Sequence, residues 1–258
     1  MRFLVSILAA LGLTSPPVAA DTSTKEPSEA ELARKSYIES VSADPTEAQL
    51  TRKARSIAEI ARLGLPYSEN LPVIEDEAGA LRRSDEEVAA RALAVMITAV
   101  KGETRDQALV ESVIEQYGAW EFFSPEERDF VETAELPDEA YVQMSWRYES
   151  VAVLLWAIGL IDELPAPDQI IDAAMLGSVF RELGAEGLIQ KAKLRPQSEI
   201  LDAADLAYRL HWAAVEARVK GAPPPDGLHP GIAYERHYAL NWLIGYAGLD
   251  WDNMATDT

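Results

Sequence analysis

SWRYESVAVLLWAIGLIDEL, residues 145–164, is the stretch that decides the fold. Its centre, VAVLLWAIGLI over 151–161, carries no charge. A helix that is apolar on every side is buried on every side. The run is too short to cross a bilayer, which takes about 20 apolar residues. It therefore predicts the central helix of a helical domain, opening at Pro137-Asp138 and ending at Leu164 before Pro165 and Pro167. Arg147 and Glu149 enter that core beside Trp146 and Tyr148.

Outward from this stretch the pattern stays helical. Ser28 with Glu31 and Ser84 with Glu87 have capping-box spacing. Asp44-Pro45 looks like a cap followed by a first-turn proline, and Ser124-Pro125 repeats the arrangement. Helices are expected over 28–42, 45–63, 84–100, 104–117 and from 125. Others follow over 169–183, 185–194, 198–220 and 232–246. Between Gly64 and Arg83 the periodicity is lost, and prolines and Gly79 mark a long ordered loop. No alternating β-branched run, internal repeat or heptad pattern is present. The expected fold is all-α, one compact bundle-like domain over 45–258 around a buried central helix.

The 258 residues carry a formal net charge of -20, with 48% hydrophobic and 26% charged residues. That balance disfavours nucleic acid and anionic membrane surfaces, whose recognition needs clustered Lys and Arg. Residues 1–20 look like a cleaved signal peptide. Arg2 precedes the apolar run 3–13, Pro16 and Pro17 break it, and Val18-Ala19-Ala20 offers small residues for cleavage before Asp21. A periplasmic or secreted protein is expected, without stable membrane insertion once the signal is removed. Residues 21–44 read as a polar leader and a short helix. The chain has no cysteine, so thiol chemistry and disulfides are excluded.

Several ordered blocks resemble one bacterial family. They include RSIAEIARLGLP (55–66), RRSDEEVAARALAV (82–95), SPEER (124–128), KLRPQSEILDAADLAYRLHWA (193–213), YERHYALNWLIGY (234–246) and WDNMATDT (251–258), together with the central stretch. The resemblance is to the domain-of-unknown-function family numbered 4272 and covers about residues 50–258. It implies no activity and no catalytic residue, cofactor or partner.

Familiar catalytic motifs are missing: no Gly-rich phosphate loop, GxSxG elbow, HExxH pair or calcium loop occurs. The histidines are His211, His229 and His237. His229, beside Pro230, reads as solvated. His211 shares a helix face with small residues Ala204, Ala207 and Ala214. His237 and Asn241, four apart, share another. Glu235 with His237 could serve acid–base chemistry, or ligate a metal alongside His211; an ion-pair network is the plainer use of the same residues. Asp205 and Arg209 have the spacing of a structural helical pair. Arg147, Glu149, Glu235 and Arg236 are expected to form one network joining the central and final helices, with Asn241 among its polar residues. Trp251 should anchor the tail against it, and Asp257 should dock on Arg147 or Arg236. The leading functional expectation is an exported binding or interaction module without catalysis, acting on a protein or small-molecule ligand whose identity, like any cofactor, is unknown. The alternative is a hydrolase-like enzyme using Glu235, His237 and His211.

Overall fold

The computed structural model describes residues 28–258; the expected signal peptide over 1–20 lies outside the described residues. Ten α-helices follow one another: α1 (Glu29–Ser42), α2 (Glu47–Arg62), α3 (Asp85–Thr104), α4 (Gln107–Tyr117), α5 (Pro125–Glu132), α6 (Asp138–Ser145), α7 (Arg147–Ala157), α8 (Ala173–Lys191), α9 (Gln197–Val219) and α10 (Pro230–Ile244). Short 3-10 turns occupy Ala119–Phe122 and Tyr246–Gly248. There is no strand among the described residues. The fold is all-α.

Local chemistry explains most boundaries. Ser28 and Ser124 cap α1 and α5 with reciprocal capping boxes. Ser84 accepts from the Glu87 amide at the start of α3, but the Glu87 carboxylate turns back to Arg83. α2 begins two residues later than expected, because Thr46 with Gln49 outcompetes Asp44 as its cap. α9 starts after Pro196 with no side-chain cap, so Ser198 lies inside the first turn. Gly184, at φ 64° and ψ -179°, is not helical and divides α8 into two helical halves, as the sequence led us to expect.

The stretch 138–164 departs furthest from expectation. It is two helices, not one, and stops early. The chain turns at Trp146, whose amide bonds to the Gln143 carbonyl at 3.3 Å in the tighter 3-10 pattern. This break brings the end of α6 against α3 where α3 carries Gly102. A Cβ there would lie 2.5 Å from the Ser145 nitrogen and 2.8 Å from the Tyr141 carbonyl oxygen. α7 ends at Gly159, φ 72°. The amides of Gly159 and Leu160 return to Trp156 and Leu155 at 3.0 and 2.9 Å, a Schellman motif.

Val151–Leu155, Ala157 and Ile158 are buried, so α7 is a core helix as its composition requires. The helix with the most neighbours is α3, which packs against α4, α5, α6, α7 and α8. Alanines at 89, 92, 94 and 99 keep its surface close to theirs. From α3 the packing passes to α7, then α10, then α9, then α2. A smaller apolar cluster of Ile60, Leu210, Ala213 and Ala233 joins these last layers. Lys101 is buried on α3, and its ammonium donates to the Phe130, Val131 and Thr133 carbonyls at 2.8, 3.0 and 2.8 Å. It thereby closes the C-terminus of α5, where a helix favours a cation.

Gly102→Ala tests the α3–α6 contact. In an open helix the change would stabilise by up to about 1 kcal/mol. Here the added methyl meets backbone, and a net loss of roughly 1–3 kcal/mol is expected in denaturant unfolding. A gain would contradict the close approach.

Candidate functional site

α10 is buried along nearly its whole length, from Ile232 to Ile244. Its N-terminus is capped by His229, which accepts from the Gly231 amide at 3.2 Å and stacks on Trp146 at 4.9 Å. His229 is therefore a half-buried cap, with a structural role beyond the solvated residue expected. Three directions around α10 carry three separate polar arrangements.

Toward α7, charges cross between the helices. Glu235 Oε2 accepts from Arg147 Nη1 at 3.1 Å and from Ser150 Oγ at 2.7 Å. Glu149 Oε2 accepts from Arg236 Nε and Nη2 at 3.1 and 3.0 Å, and Glu149 Oε1 accepts from the Ile171 amide at 2.7 Å. Arg236 Nη1 donates to the Pro165 carbonyl at 2.7 Å. Burial pushes the Glu149 carboxyl above its ordinary range, and Arg236 opposes the shift. Arg147 lies over the rings of Tyr238 and Trp251, at 4.1 and 5.6 Å. The tail thus reaches this network through an aromatic face. Its carboxylate goes elsewhere: Asp257 pairs with Arg34 at 2.9 Å and accepts from the Tyr246 hydroxyl at 2.9 Å. The expected docking of Asp257 on Arg147 or Arg236 is not formed, because Glu235 and Glu149 already hold those arginines.

Toward α9, His237 meets His211, with Nδ1 atoms 3.0 Å apart. One ring must donate and the other accept, so the contact requires at least one unprotonated nitrogen. Burial holds His211 down at about 4. Burial and the neighbouring His211 hold His237 well below its usual value, while Asn241 works in the other direction. Both shifts favour the neutral imidazole. Glu235 is not part of this pair; two residues along a helix turn the side chain by about 200°, and it faces Arg147 instead. Among the described residues no group of three His, Cys, Asp or Glu could hold a metal ion. The acid–base and metal arrangements of Glu235, His237 and His211 are therefore not assembled.

Next to the histidine pair is a cavity of about 30 Å³. Glu75, Tyr208, His237, Asn241, Tyr246 and Asp257 line it, and α1 lies across it. Asn241 is fixed by its Nδ2 donating to the Ala255 carbonyl at 2.8 Å. Tyr208 packs on the His237 ring at 5.6 Å, and burial pushes its phenol up to about 12. Glu75 is 4% exposed and accepts from the Tyr37 hydroxyl through Oε1; its Oε2 has no hydrogen-bond partner in the protein. Burial pushes its carboxyl up to about 7. Sequence reasoning missed Glu75, which sits in the acidic run Glu75-Asp76-Glu77 of the long loop. The available signal was period two: Leu71, Val73 and Glu75 are all buried, as alternate residues of an extended segment must be when one side faces the core. The helical pair Asp205–Arg209 is also more than a surface pair. Both side chains are 1% exposed, joined at 2.8 Å, and Arg209 donates to the Pro72 carbonyl of the same loop.

A third region, an open cleft of about 780 Å³, lies between the start of α3, the segment 121–126 and the tail at 248–253. Trp242 and Trp251 contribute its aromatic walls. Arg83 lies over Trp242 at 4.1 Å and donates to the Trp242 carbonyl at 3.0 Å. Arg91, paired with Glu127 at 2.7 Å, stands 5.3 Å from the Trp251 ring.

The cavity carboxyl gives a pH test. Glu75 has a raised folded-state value, so the stability it contributes is full below about 4.5 and lost as pH rises through about 7. His211 has the opposite sign, contributing above 6.5 and losing stability as pH falls through about 4. Comparing wild type with Glu75→Gln cancels the histidine contribution. From pH 4 to 8 the variant should gain on wild type by roughly 3 kcal/mol in chemical denaturation. A pH-independent difference would mean that Glu75 is not desolvated.

No helix among the described residues is long and apolar enough to cross a membrane. Neither a curated protein nor a solved structure matches the chain. The family model described as "Domain of unknown function (DUF4272)" matches residues 52–254, from within α2 to the tail residue Met254. With most of its length matched by that model, the chain belongs to the DUF4272 family.

Proposed function

We propose that this protein is an exported, helical small-molecule-binding module without catalysis of its own. The observation that carries the reading is the cleft of about 780 Å³ walled by Trp242 and Trp251. Small-molecule sites commonly fall between about 300 and 1,000 Å³ and combine aromatic walls with a few fixed polar groups. Arg83 and Arg91 are such groups: each guanidinium is held by a carboxylate and faces a tryptophan ring. The non-catalytic part rests on the separation of Glu235 from the two histidines, so that these three do not form one site. Export rests on residues 1–20, and a periplasmic or secreted location follows from it.

One measurement checks both parts. Native mass spectrometry of the protein purified from its own host should give a chain that starts at Asp21 and carries a non-covalent small-molecule adduct. Ala90 lines the cleft, and Ala90→Trp should fill it and abolish the adduct. A bare wild-type chain would contradict binding, and an intact Met1 would contradict export.

A further inference from the structure

α1 is an unusual helix for this fold. None of its residues is fully buried. It also lies before the start of the family match at residue 52. Its attachment is polar and specific. Arg34 Nε donates to Asp257 Oδ2 at 2.9 Å, and the Tyr37 hydroxyl donates to Glu75 Oε1. The Tyr37 ring meets Tyr246 edge-on at 5.5 Å. Arg34, Tyr37, Ile38 and Val41 are half-buried and recur at helical spacing, so one face of α1 makes the contact.

The surface beneath has the complementary chemistry. Glu75 and Asp257 are two carboxylates held on separate segments at one cavity, and Glu75 Oε2 is buried without a partner. Tyr208 and Tyr246 supply aromatic walls. His237 and Asn241 complete the lining, and burial favours the neutral form of the histidine. A buried unpaired carboxylate oxygen costs free energy, so the site favours a donor or a cation that reaches it. α1 supplies a guanidinium to one carboxylate and a hydroxyl to the other. These are the groups that a ligand would bring.

We propose that the cavity beneath α1 is a binding site for a small guanidinium compound, and that Arg34 and Tyr37 occupy it in the closed chain until such a ligand displaces them. The site shares no lining residue with the cleft assigned above, so the two readings stand or fall separately. A planar guanidinium donates paired, charge-assisted hydrogen bonds to a carboxylate, which a neutral ligand of the same shape cannot match in strength. Binding a cation would also favour the ionised form of Glu75, whose carboxyl burial now holds at about 7. The net charge of -20 raises the local concentration of any small cation.

The test uses the full chain with butylguanidinium as probe and butylurea as its neutral counterpart. Arg34→Ala with Tyr37→Phe removes the guanidinium and the hydroxyl that α1 supplies to the two carboxylates. By titration calorimetry this double variant should bind butylguanidinium at least about tenfold more tightly than wild type. Adding Asp257→Asn and Glu75→Gln should abolish the gain, and butylurea should not bind. A second readout needs no variant: in wild type, butylguanidinium should speed amide hydrogen exchange across residues 29–42. Equal affinity in wild type and variant, equal binding of butylurea, or unchanged exchange in α1 would each overturn the proposal.

Discussion

The structure depends on the crossed charges between α7 and α10. Each of these helices brings one acid and one base into the core, and each pairs with its opposite on the other helix. An ion taken out of water costs several kcal/mol unless a partner meets it with good geometry. Arg147 with Glu235 and Arg236 with Glu149 meet that condition only at one relative height and rotation of the two helices. An apolar interface alone would tolerate small slips. Here a slip of one residue would leave three buried charges and the half-buried Arg147 without partners. Glu235 Oε2 also accepts from Ser150 Oγ, and Glu149 Oε1 from the Ile171 amide, so the loop after α7 is fixed by the same set of bonds.

Once α10 is set, its other faces follow. His237 is turned to His211 on α9, and Asn241 to the cavity and the tail carbonyl of Ala255. Trp242 forms a wall of the cleft and Tyr238 a ledge for Arg147 and Trp251. The tail is held by Trp251, by the Tyr238 hydroxyl donating to the Trp251 carbonyl, and by Asp257. One helix therefore borders a brace, a small cavity and a larger cleft. The neutral histidine pair lies between the brace and the cavity. With both values depressed by burial, it is a poor proton donor near neutral pH and a good rigid spacer between α9 and α10.

Much of this was legible in the residues. Apolar runs and caps marked the helices, and the absence of alternating β-branched segments marked the fold class. The charged residues at the heads of α7 and α10 pointed to one another, because unpaired charge cannot enter a core. What was hidden was mostly non-local. Gly159 sat inside an apolar run and looked like a residue passed through, yet it takes the left-handed conformation that ends α7. The turn at Trp146 has no strong local signal; it is set by the close approach of Gly102 on α3. Asp257 looked like a partner for the core arginines because nothing local shows that α1 would supply Arg34. Glu75 was masked by Asp76 and Glu77, and the direction of a carboxylate in an extended loop is decided by what packs against that loop.

The central claim is that the crossed pairs fix α10 on α7, and a double-mutant cycle tests it most directly. Glu149→Leu and Arg236→Met would be made singly and together, with stability measured by denaturant unfolding. Each single change strands a buried charge and should cost about 3–5 kcal/mol, while the double change strands none and should be more stable than either single variant. Losses that simply add in the double variant would contradict the account.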